Sequence, residues 1–184
     1  CEKYDVIKRV KDSKIPDLFA EREELLYAPD EGEKTLPKDA PEIGIPRILY
    51  IHEMFPFWKA FFTELGYRVV LSDATNKELI RKGVENVVAE TCFPIKVSHG
   101  HVLNLLEKGV KRIFLPSIVN LKPFHPDIPN STACPYAQSF PYGIHSSINF
   151  KKSDVELLQP VLHFDFGRET LEKELIQFGK SLRR

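Results

Sequence analysis

From Ile43 onward, short runs rich in Ile, Leu and Val alternate with segments of helical periodicity, several of them closed by glycine. This alternation limits the possible folds more than any other feature of the chain. "IGIPRILYI" reads as a buried strand over 43–51, and "FPFWKAFFTELG" as a helix that stops at Gly66, a good C-terminal cap. "YRVVLS" is a second strand with Asp73 just beyond it. "TNKELIRKG" is a helix in which Thr75 and Glu78 have the spacing of a capping box. "ENVVAE" is a short extended piece. "FPIKVSHGHVLNLLEKG" is a helix with Ile95, Val102, Leu103 and Leu106 on one face, ending at Gly109. "VKRIFLPS" is another strand, and "IVNLKPFHPDIPNSTAC" a long loop with three prolines. "PYAQSFPYGIHSSI" suggests a short strand and a turn into a helix. "PVLHFDF" is a last strand and "RETLEKELIQFGKSL" a last helix.

Strands alternating with helices imply a mainly parallel sheet covered on both faces. The expected fold is a flavodoxin-like, doubly wound α/β domain over 42–184, preceded over 1–41 by a short helical arm and a linker. The arm helix starts at Pro16 with Leu18, Phe19, Leu25 and Leu26 on its apolar side, and the linker is the polar, proline-rich "PDEGEKTLPKDAPE". In such sheets, sites form beyond the carboxyl ends of the strands. That rim is expected to gather His52 and Glu53, Ser72 and Asp73, Pro116 and Ser117, and the segment around Cys134.

Charge excludes some functions. The 26 basic residues balance 26 acidic ones, so nothing draws the chain as a whole to nucleic acid or an anionic membrane. No apolar run approaches a bilayer span, and the charged start "CEKYDVIKRVKDSK" is no signal peptide. Lacking an initiator Met, the chain reads as a piece of a longer protein. Three widely spaced cysteines are no secreted disulfide framework, and the expected location is the cytoplasm.

Cys92 stands immediately before Phe93 and Pro94. Proline suits the first helical turn, so Cys92 falls at or near an N-cap, where the dipole and free N–H groups favour a thiolate or an anionic metal–sulfur cluster. Cys134 also precedes a proline and closes the long loop on the same rim. Their separation fits no zinc-knuckle spacing, and buried structural cysteine is the competing reading. His99 and His101 are two apart on a helix and share no face, so one of them at most meets a rim ligand, and a solvated or helix-packing histidine is the favoured reading. The aromatic "FPFWKAFF", with Trp58, reads as core. There is no GxGxxG or Walker motif, "HEMF" is no zinc-protease signature, and no Ser–His–Asp order stands out.

Three stretches together resemble one family: "IGIPRILYIHEMFPFWKAFFTELGYRVVLS", "AETCFPIKVSHGHVLNLLEKGVKRIFLPS" and "CPYAQSFP". It is the domain of unknown function attached to large CoA-substrate-specific enzyme activases, the activators of the 2-hydroxyglutaryl-CoA dehydratase and benzoyl-CoA reductase systems. The resemblance covers about residues 42–142, extends more weakly to the end, and is specific in its combination of pieces. "CEK" resembles the join that follows the nucleotide-binding part of such proteins. The resemblance implies an actin-like ATPase region upstream that alone binds ATP, and a similarity to the iron–sulfur component of the dehydratases. There, rim cysteines hold clusters that pass single electrons at low potential. Carried over by motif, Cys92 and Cys134 become iron–sulfur ligands; if they hold a cluster, His52, Glu53 and His99 are the side chains expected around those ligands. At the position where the family commonly has a further cysteine this chain has Ser117, a harder and poorer ligand for iron. Cys1 could contribute from the arm. The implied partner is a dehydratase or reductase component.

Two other readings compete. One is a non-redox docking module that binds an acyl-CoA or a partner protein in the rim between the first and third strands. The other is a structural zinc site of Cys92, Cys134 and His99 or His125.

Overall fold

The computed structural model describes residues 16–28, 36–123, 125, 127 and 131–182. The chain forms two compact units, Cys1–Glu33 and Lys34–Arg184. In the first, helix α1 (Leu18–Tyr27) begins where the Asp17 carboxylate accepts the N–H groups of Phe19 and Ala20, both at 3.1 Å. Cys1 and linker residues 29–35 lie outside the described residues.

The second unit is built on a parallel sheet of β1 (Glu42–Ile45), β2 (Arg68–Leu71), β3 (Arg112–Phe114) and β5 (Glu156–Leu158), in the order β2-β1-β3-β5. Helices α2 (Leu49–Glu53) and α3 (Phe55–Glu64) connect β1 to β2, and α4 (Lys77–Glu85) and α5 (Phe93–Glu107) connect β2 to β3. This is the doubly wound α/β arrangement the alternation predicts. Gly66 and Gly109 take φ of +88° and +78°, the left-handed conformation of a helix-terminating glycine. On one face of the sheet Trp58 and Phe62 of α3 meet Phe114, with ring centroids 4.6 and 5.0 Å away, so the aromatic helix is core. Phe178 of the last helix, α8 (Arg168–Ser181), stacks on Phe114 from the same side. On the other face, a Cβ built on Gly44 of β1 would lie 2.9 Å from Val110 and 3.2 Å from Leu105. Leu105 is the buried residue here, between the expected Leu103 and Leu106, which are half-buried.

Several local expectations change. The run 43–51 is not one strand: β1 stops at Ile45, Pro46 follows, Leu49 takes φ +47°, and Leu49–Glu53 is helical. The cap of α4 is Asn76, whose side chain accepts from Leu79 N at 3.0 Å, not Thr75. Segment 86–90 is irregular rather than extended. "PYAQSFPYG" is wholly helical as α6 (Pro135–Gly143), because Pro135 fits the first turn. A 3-10 turn (Ile144–Ser146) and α7 (Phe150–Ser153) then lead to β5.

The middle strand is also bipartite. After β3, Leu115 and Pro116 intervene before β4 (Ser117–Asn120). After β5, Gln159 and Pro160 intervene before β6 (Val161–His163), and β4 pairs with β6 in parallel. The register offset is the same on both sides of the break, Arg112 opposite Glu156 and Ser117 opposite Val161. Leu115 N donates to Leu158 O and Ser117 N to Pro160 O across the gap, both at 2.8 Å. Two prolines facing each other interrupt what is otherwise one continuous ladder.

Candidate functional site

The crevice beyond the ends of β1 and β3 is the switch point of a doubly wound sheet. Here Ile48–Ile51 line one side, Leu115 and Pro116 the floor, and Ala137, Phe140 and Pro141 of α6 the other side. The remaining cavity is about 20 Å³, room for roughly one water. Helix α6 thus fills the place where a ligand would be sought first. Ser117 is buried beneath it and donates from Oγ to Gln138 O at 2.9 Å.

Cys92 sits where the following proline predicts, and Cys134, expected only at the end of a loop, also opens a helix. Cys92 is the N-cap of α5 and Cys134 the N-cap of α6; both are exposed, and neither side chain takes part in capping. Their carbonyls do: Cys92 O accepts from Ile95 N and Lys96 N, and Cys134 O from Ala137 N and Gln138 N. Cys134 N donates to the Tyr50 hydroxyl at 3.2 Å, which ties the start of α6 to the helix that follows β1. Lys96, in the first turn of α5, pairs with Glu90 at 2.8 Å. Beside Cys92, Thr91 Oγ1 is buried without a hydrogen-bond partner among the described residues.

The expected companions are dispersed. His99 is buried, bonds through Nδ1 to Ile95 O at 2.9 Å, and stands edge-on to Phe140 of α6, so it packs between the two helices that carry the cysteines. Burial lowers its pKa, partly opposed by the bond to Ile95 O. His52 is half-buried and Glu53 exposed, both in the last turn of α2 rather than at a strand end. His125 is 3.4 Å from Asp127 on an exposed loop. Among the described residues, no group of three or more His, Cys, Asp or Glu side chains is placed to hold a metal ion.

Sequence reading missed the strongest polar network. One stripe along α5 and its C-cap, His101, Asn104 and Lys108, reads the end of β2 and the loop after it. Fully buried His101 places Nδ1 2.8 Å from Ser72 Oγ and Nε2 3.1 Å from Thr75 Oγ1. Ser72 Oγ also accepts Arg47 N–H at 2.9 Å. Giving its own proton to Nδ1 leaves Nε2–H to donate to Thr75. Asn104 exchanges two hydrogen bonds with Asp73, and Lys108 bonds both Asp73 and Leu71 O. Burial first, then the charges of Arg47 and His52, pushes the His101 pKa down to about 4. Hydrogen bonds from Lys108 and Asn104 hold the Asp73 carboxyl below its ordinary value. Ser72 is buried and both ring nitrogens of His101 are engaged, so this is a clamp between loop and helix and not a nucleophile with its base. The spacing of the three residues along α5 was the available signal.

Among the described residues no helix is long and apolar enough to cross a membrane. A family model described as CoA enzyme activase uncharacterised domain matches residues 42–184, from the first residue of β1 onward. No curated protein and no solved structure matches the chain.

Proposed function

We infer the role of this chain from the family to which it belongs, that of the CoA enzyme activase uncharacterised domain. In this reading the domain helps to activate a CoA-dependent enzyme by low-potential electron transfer, in the manner of the iron–sulfur component of 2-hydroxyacyl-CoA dehydratases. Cys92 and Cys134 are its ligands, and ATP is bound by a region outside the chain. The observation that carries the reading is the shared construction of the two sites. Each thiol is exposed, caps a helix through its backbone alone, and precedes a proline in the first turn.

The donor set fits an iron–sulfur cluster in kind, since both donors are thiols at helix N-termini, which suit an anionic centre. In number it is incomplete, so the remaining ligands come from outside the described residues. A bound cluster supplies one-electron chemistry. The chain's own contribution is positional. The starts of α5 and α6 present N–H groups to negative charge. The buried Thr91 hydroxyl, unpartnered among the described residues, has a proton to give to a sulfur nearby. His99 keeps α5 and α6 in contact through Phe140, and His52 and Glu53 share α2 with the Tyr50 that holds Cys134. Anaerobic reconstitution of the longer protein with iron and sulfide tests this. The expected product binds both and absorbs broadly in the visible, and Cys92→Ser or Cys134→Ser removes the absorption. Colourless, iron-free wild-type protein refutes it.

One observation favours a second reading, a docking module without redox work. Ser117 stands where the resemblance expects a cysteine, and its hydroxyl is built into the packing of α6. Calorimetric binding of CoA or of a dehydratase subunit to metal-free protein supports this alternative. No binding, together with a functional cluster, refutes it.

A further inference from the structure

Phe61 of α3 stacks on Phe178 of α8, ring centroids 6.0 Å apart, so the two helices lie side by side. Between them runs a groove of about 300 Å³, lined by Phe61 and Leu65 from α3 and its C-cap and by Leu175, Ile176, Gly179 and Lys180 of α8. Its surroundings are apolar and open to solvent: Ile176 is 57% exposed, and Phe57, stacked on Phe61, is 41% exposed.

Gly179 keeps this groove open. It stands inside α8, which runs on to Ser181, and its φ is not left-handed, so it is no helix stop. A Cβ built there would lie 3.7 Å from Leu65 and 3.9 Å from Phe61, which is ordinary contact. Glycine inside a helix is less stable than alanine, and no contact among the described residues requires it here. The missing side chain leaves room for a neighbour that comes close.

Charge narrows the choice of neighbour. Lys173 and Lys180 are exposed on one stripe of α8, with Ile176 between them, about 10 Å apart along the axis. Neither meets a carboxylate among the described residues: Glu172 pairs with Arg168, and Glu174 with His163. An acyl chain with one acidic head reaches one of these lysines. Carboxylates two turns apart on a helix reach both. A second copy of the chain fits poorly, since two-fold pairing of antiparallel α8 helices sets Lys173 of one against Lys180 of the other.

We propose that the groove between α3 and α8 docks an amphipathic helix of a partner protein. Its apolar side chains enter beside Ile176 and over Gly179, and its carboxylates, seven residues apart, meet Lys173 and Lys180. This is recognition of a helix by a groove, and it is independent of any metal at the thiols.

The test uses the full chain and a fluorescein-labelled, alanine-rich helical peptide with leucines at i, i+3, i+4 and i+7 and glutamates seven residues apart. Saturable binding is expected in fluorescence anisotropy. Gly179→Leu fills the groove and should weaken binding at least about tenfold, while its urea midpoint stays at or above that of wild type. Lys173→Glu/Lys180→Glu should weaken binding as much, and a peptide with lysines in place of the glutamates should bind that double variant and not wild type. If Gly179→Leu lowers the midpoint, the charge exchange alone decides. No binding to wild type, equal binding of both peptides to wild type, or loss of less than about threefold in both variants overturns the proposal. So does a wild-type dimer in sedimentation that Gly179→Leu dissociates, which assigns the groove to a second copy. Dodecanoate binding that Gly179→Leu abolishes, without peptide binding, assigns it to an acyl chain and overturns the proposal as well.

Discussion

Replacing Gly100 by alanine puts one methyl group between two helices that cross in backbone contact. A Cβ built there lies 2.1 Å from Leu79 O of α4, and one built on Gly83 of α4 lies 2.2 Å from Lys96 O of α5. Carbon and oxygen need well over 3 Å, so α4 and α5 must part by about 1 Å. A backbone carbonyl cannot rotate aside as a side chain can. Overpacking of this kind costs about 1–3 kcal/mol, here at the top of that range because the obstacle is main chain. Alanine returns about 1 kcal/mol of helix propensity, which leaves Gly100→Ala about 2 kcal/mol less stable than wild type. Gly143→Ala is the comparator. Gly143 has helical φ of −64° and nothing within 4 Å of a built Cβ, so its substitution is expected to add about 0.5–1 kcal/mol. Urea denaturation followed by circular dichroism measures both, with a shift in midpoint at unchanged slope as the readout. The double variant Gly83→Ala/Gly100→Ala should lose less than the sum of the singles, since the first methyl opens the gap for the second. A Gly100→Ala protein as stable as wild type would falsify the close-crossing argument.

Three further outcomes are expected. His101 titrates near 4 in the fold and near 6.5 when unfolded, so the unfolded state binds the extra proton in between; stability is full above pH 6.5 and declines by about 3 kcal/mol as pH falls to about 4. Urea midpoints at pH 7 and pH 4.5 should show this decline in wild type and a shallower one in His101→Asn; equal declines would assign it to other groups. Tyr50→Phe leaves Cys134 N–H without its acceptor, costs about 1 kcal/mol, and should speed iodoacetamide labelling of Cys134 but not of Cys92, as read by mass spectrometry of the peptides. Ser117→Cys loses the buried bond to Gln138 O, costs about 1–2 kcal/mol by denaturation, and should raise the iron retained by the reconstituted longer protein; unchanged iron would remove position 117 from the ligand set.

What could be read from the chain, and what could not, follows from the distance over which each feature is decided. Gly66 and Gly109 are legible as helix stops because the conformation they supply is local, and Cys92 is legible as an N-cap because a proline sits two residues downstream. Gly83 looks like another stop, yet the helix runs on to Glu85, and this glycine is needed by a second helix that approaches its backbone. In isolation nothing distinguishes it from Gly66. Pro116 and Pro160 are plain in the sequence, but that they face each other and split one ladder depends on a strand register set across the sheet. The stripe of His101, Asn104 and Lys108 is helical in spacing, while its partners Ser72, Asp73 and Thr75 belong to a loop two elements earlier. The candidate site divides along the same line. The place of Cys92 at a helix start was recoverable from its own neighbours. Helix α6 closing the switch-point crevice was not, because "PYAQSFPYG" carries two prolines and reads as broken until Pro135 is seen to open the helix.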